Sequence, residues 1–206
     1  MPEAAESVSI VLRDSEESLT CSKELLVKHS EYFRAMLEGG HFKEGTEKNA
    51  IKITETWLRP ETFRHPHALL ALSDITIPRF LPTALQSHIS WVCSKFCDLE
   101  NPDGPFALLK MCDYFQMQKH VDLILKQLYC SEGFFGPGEQ PLAVIPFLHQ
   151  LKPGILDSAD FPFKRVASAI LTVIGQECAE EKLSEFPPHF FARLLSFSSN
   201  RQQFRR

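Results

Sequence analysis

At 206 residues and 23.5 kDa the chain has length for one large domain or two small ones, and hydrophobic residues at 44% against 23% charged exclude general disorder. A net charge of -4 excludes a protein that seeks phosphate over its whole surface, and no apolar run approaches the roughly 18 residues of a membrane-spanning helix. Six cysteines behind an acidic N-terminus without an apolar stretch lead us to expect reduced thiols in the cytoplasm or nucleus, with neither nucleic acid nor membrane as partner.

In chain order, Val8, Ile10 and Leu12 alternate and predict one face of a strand. The polar run Asp14 to Ser18 reads as a turn, and Leu19 to Cys21 returns as the second strand of a hairpin. Ser22 then caps a helix carrying Leu25, Leu26 and Val27, with Glu24 placed at its positive end. Ser30 caps a second helix, in which Phe33, Met36 and Leu37 form one stripe and are expected in the core, and Gly39-Gly40 ends it. Ile51-Lys52-Ile53 alternates again as a third strand.

From Trp57 to Pro105, prolines at 60, 66, 78, 82, 102 and 105 cut the chain into pieces, because proline removes a helix hydrogen bond and clashes with the preceding turn. One piece, Thr83 to Cys97, keeps helical spacing through Leu85, Ile89, Val92, Cys93 and Phe96. Leu108, Leu109, Cys112 and Phe115 predict a further helix, followed across a short joint at Gln116 to Lys119 by another carrying Val121, Ile124, Leu125 and Leu128. Cys130 to Pro141, with three glycines and two prolines, reads as a loop and a subdomain boundary. Val166, Ile170, Val173 and Ile174 mark one later helix. Phe190, Phe191, Leu194 and Leu195 mark the last, entered through Pro187-Pro188 and followed by a frayed basic tail at Arg201, Arg205 and Arg206.

Motifs for chemistry mostly fail. Gly40 to Gly45 has phosphate-loop glycine spacing, but Thr46-Glu47 stands where lysine is needed to reach the phosphates. Cys93 and Cys97 with Cys112, His120 and Cys130 could supply zinc ligands, yet no paired Cys-x2-Cys knuckle exists and the helical cysteines fall on apolar stripes. His65-Pro66-His67 is turned by its proline, and Cys21 or Cys178 paired with a histidine is a dyad that only geometry could recognise. No catalytic residue, metal ligand or cofactor is assigned, and the chain is not expected to be an enzyme.

One resemblance is specific. Val8-Ser-Ile-Val-Leu, Leu19-Thr-Cys-Ser-Lys-Glu-Leu-Leu, Ser30-Glu-Tyr-Phe-Arg-Ala-Met-Leu37 and Phe42-Lys-Glu44 resemble the core of a BTB/POZ domain. Leu58-Arg-Pro-Glu-Thr-Phe63 resembles the start of that fold's middle helix, and Leu108 to Leu128, around Tyr114-Phe-Gln-Met117, its closing helix pair. Cys178 to Leu195 is similar to part of a BACK region. The chain departs from the family in Ser7 and Ser22, where Asp and His are frequent, in the short segment before Val8, and in the long stretch 64–104, which carries little family pattern.

The resemblance implies an α+β fold: a BTB/POZ-like small sheet with surrounding short helices over 1–130, with 64–104 divergent or inserted, then an incomplete helical BACK-like region over 131–206. It implies a protein-interaction module, an adaptor that links a partner to a cullin-3 type ubiquitin ligase and that forms a homodimer. The alternatives are a scaffold in transcriptional repression or at the cytoskeleton and, from another class, a small cysteine- or metal-dependent enzyme. In the family, the loop after the Ser-x-Tyr-Phe helix and the closing helix pair together receive the cullin. Carried onto this sequence, that makes Phe42, Glu44, Tyr114 and Gln116 the partner-binding residues, and the polar company of Phe42 suits an exposed aromatic anchor.

Overall fold

The computed structural model describes residues 6–12, 18–39, 50–55, 58, 63, 89, 104–130, 140–174 and 183–203. It is an α+β structure in which a small mixed sheet at the N-terminal end is followed by a mostly helical region. Strands β1 (Ser7–Leu12) and β2 (Ser18–Ser22) pair antiparallel, with Val8 opposite Cys21 and Ile10 opposite Leu19. Strand β3 (Ala50–Ile53) lies parallel to β1 on its other side, Ile10 opposite Ile51, so the order is β2-β1-β3. Alternation sends Val8, Ile10, Leu12, Cys21, Ile51 and Ile53 to the buried face.

Between β2 and β3 come α1 (Lys23–His29) and α2 (Glu31–Glu38), joined by the single residue Ser30. Both predicted caps are present. The Leu25 amide donates to Ser22 Oγ at 3.5 Å and the Phe33 amide to Ser30 Oγ at 3.1 Å, each meeting one of the amides that a helix start leaves without an internal partner. Phe33 and Met36 are buried as expected, but Leu37 is only partly so and sits at the edge of the core. Leu58 and Phe63 are buried, and Ile89, from the predicted Thr83 to Cys97 helix, is helical and buried; the rest of that helix lies outside the described residues.

Helix α3 (Pro105–Tyr114) starts with proline in its first turn, where a missing amide hydrogen costs nothing, and buries Leu108, Leu109, Met111 and Cys112. Helix α4 (Gln118–Cys130) buries Val121, Ile124, Leu125 and Leu128, the stripe read from the sequence. Helix α5 (Gln140–Leu151) has no counterpart in the sequence reading. It contains Pro146, and every residue from Pro141 to Leu148 is apolar, so no polar face sets off the buried Leu142, Val144, Ile145 and Leu148 as a stripe to read. A turn of 3-10 helix (Ile155–Asp157) leads to α6 (Phe163–Ile174) and then α7 (Pro188–Gln203).

Helix α6 buries Val166, Ala167, Ile170 and Val173. On α7, Phe190 and Leu194 are buried, whereas Leu195, read from the sequence as part of the same stripe, is 53% exposed. The helix also continues through Arg201, where the sequence suggests a frayed tail. Three rings, Phe161, Phe163 and Phe186, surround Phe190 at centroid distances of 5.6 to 6.2 Å, and Arg193 lies 4.2 Å over Phe163. The buried residues form one contiguous cluster from Val8 to Leu194.

Candidate functional site

The site with the most sequence support is built at the joint between α3 and α4, where α2 meets it. Ser30 ties the two regions together: its buried hydroxyl donates to the Phe115 carbonyl at 2.5 Å while capping α2. The bond spans 85 residues of chain. It holds Phe33 stacked on Phe115, with ring centroids 5.0 Å apart, and brings Tyr32 to 5.5 Å from Tyr114. Phe63 closes the other edge of Phe115 at 5.4 Å.

Tyr114 ends α3 half-buried, one side against Phe115 and Tyr32, and its hydroxyl donates to Glu55 Oε1 at 3.2 Å. Burial, then the hydrogen bond with Tyr32 and the negative charge of Glu55, push the Tyr114 phenol well above its usual range, so it stays protonated and a donor. A phenol with its ring edge-packed and its hydroxyl at the rim offers a partner both apolar area and a polar handle.

Gln116, exposed, follows two residues later with φ of 52°, the only left-handed backbone outside glycine among the described residues. Two hydrogen bonds explain it: the Met117 amide donates to the Cys112 carbonyl at 2.7 Å and the Gln116 amide to the Asp113 carbonyl at 2.8 Å. That pattern closes a helix through a left-handed residue, a place glycine normally fills. The closure turns the chain into α4 and displays Gln116 beside Tyr114.

Of the four residues expected to bind a partner, Tyr114 and Gln116 therefore share one surface joint. Phe42 and Glu44 lie outside the described residues. Sequence reasoning missed Tyr32 and Glu55 as members of the site. Tyr32 was visible inside the Ser-x-Tyr-Phe motif, but nothing in the sequence connects Glu55 to a tyrosine 59 positions later.

The other chemistry weighed in the sequence falls as follows. Cys21 and Cys112 are buried, and burial raises the Cys21 thiol to about 11 and the Cys112 thiol further, keeping both protonated and poor nucleophiles. His120 is buried against the His29 ring at 5.4 Å, on the inner side of α4, while Cys130 is exposed at its end. Cys93, Cys97, Cys178, His65 and His67 lie outside the described residues, and no group of three side chains able to hold a metal occurs among the described ones. A half-open cleft of about 660 Å³ lies between the second half of α4 and residues 152–160, lined by Leu125, Tyr129, Ile155 and the charged Asp122, Lys126, Lys152 and Asp160. No helix among the described residues is long and apolar enough to cross a membrane. No protein-family model matches this chain, and no curated protein matches it.

Proposed function

We propose that the chain is a protein-interaction adaptor of the BTB/POZ type, without enzymatic activity of its own, whose partner is a cullin-3 type ubiquitin ligase. The observation that carries this reading is the Ser30–Phe115 bond. It seats the Ser-x-Tyr-Phe helix on the Tyr-Phe-Gln-Met joint, with the Tyr32 ring 5.5 Å from that of Tyr114. The joint belongs to the closing helix pair that the resemblance assigns to the partner, and the Ser-x-Tyr-Phe helix leads in sequence to Phe42 and Glu44, the other element that it assigns. The strand–strand–helix–helix–strand order ahead of a closing helix pair supports the same reading, with a BACK-like role for the helices after residue 131. The buried, protonated thiol of Cys21 weighs against that residue as a nucleophile, and Cys178, the other candidate, lies outside the described residues.

The test is calorimetry with the N-terminal domain of a cullin-3 type protein. Saturable binding by the wild type is expected. Phe42→Ala should weaken it by about 2 kcal/mol while leaving the melting curve unchanged, as truncation of an aromatic anchor does. Tyr114→Ala should weaken it as well. No binding by the wild type would overturn the ligase reading in favour of the scaffold, and equal affinity for both variants would move the site elsewhere on the chain.

A further inference from the structure

We draw no further inference here: the strongest candidate, the half-open cleft between the second half of α4 and the 152–160 segment, balances two lysines against two aspartates and borders at Cys130 on residues outside the described set, and nothing in the structure shows what covers it.

Discussion

Ser30 does two jobs with one oxygen, donating to the Phe115 carbonyl and accepting from the Phe33 amide, and it is fully buried while doing so. Ser30→Ala therefore strips a helix cap and leaves a buried carbonyl short of a donor. We expect a loss of about 2 kcal/mol, measured by denaturant melts, since an unmade buried bond costs the desolvation of the group left behind. A loss below half a kcal/mol would show that the two regions are held by ring packing alone. His120 gives a residue-scale prediction in pH. Burial first, then His29 and Lys119, lower its pKa to about 4 in the folded chain, against 6.5 when solvated. Between these values the unfolded chain binds the proton and the folded chain does not, so stability rises with pH. The contribution is fully present above pH 6.5 and is lost as pH falls toward 4, amounting to about 3 kcal/mol across that window. The stability of wild type minus that of His120→Leu should therefore fall from pH 7.5 to pH 4.5. A gap constant across that range would mean that His120 takes up its proton equally in both states.

At the scale of elements, the α3–α4 joint combines a strained residue with a well-closed helix end. A side chain in the left-handed region costs about 1–2 kcal/mol against the right-handed one, and glycine escapes that cost. Glycine's greater freedom in the unfolded chain offsets part of the gain. Gln116→Gly should thus stabilise the fold by about half a kcal/mol to 1 kcal/mol while weakening the proposed partner contact, two readouts that move in opposite directions. Destabilisation instead would mean that the Gln116 side chain holds the joint together. Helix α2 offers a ranking: Phe33→Ala should cost about 3–5 kcal/mol, and Leu37→Ala clearly less, because Phe33 is sealed between Phe115 and the core whereas Leu37 keeps part of its surface in water. Equal losses would place Leu37 in the core as its spacing suggests. These two helices also show what a sequence can disclose. Period and caps are local, so the hairpin through Val8, Ile10 and Leu12, the Ser22 and Ser30 caps and the α4 stripe were all legible. Helix α5 was not, because a helix apolar on several sides and interrupted by Pro146 has no period to detect. Leu195 misled for the converse reason: it has the spacing of the stripe but lies beyond the edge of what α7 covers. The Tyr114 surface was half legible. Its motif marked the ring, but the Glu55 and Ser30 bonds that fix it are long-range and follow from the fold.

Over the whole molecule, the question is whether the sheet end and the helical end stabilise each other. Phe106 of α3 meets Phe147 of α5 at 5.3 Å between ring centroids, and Tyr129 of α4 meets Phe161 at 5.7 Å. Two polar contacts accompany these apolar bridges: Arg165 donates to the Tyr129 carbonyl at 2.5 Å, and Lys152 pairs with Asp122 at 2.9 Å. The Lys152–Asp122 pair is about half-exposed on both sides, so solvent screens it and it contributes at most a few tenths of a kcal/mol. Cohesion between the two ends therefore rests on the aromatic contacts and on the core that runs unbroken from Val8 to Leu194. A continuous core implies a single cooperative transition, although chains of this length often pass through intermediates when their parts are weakly joined. Two truncations at opposite ends decide between these outcomes. Ile10→Ala removes the centre of the sheet, and Phe190→Ala removes the hub of the C-terminal ring cluster; each should cost about 2–5 kcal/mol. In a cooperative chain each variant lowers the same single melting midpoint, by roughly 10 °C for a chain of this size. Hydrogen exchange in α4 and in α6 should then accelerate together in both variants. If Phe190→Ala instead splits the melt, releasing α6 while β1 to β3 keep the wild-type midpoint, the helical end is a separately folding unit and the sheet end stands without it.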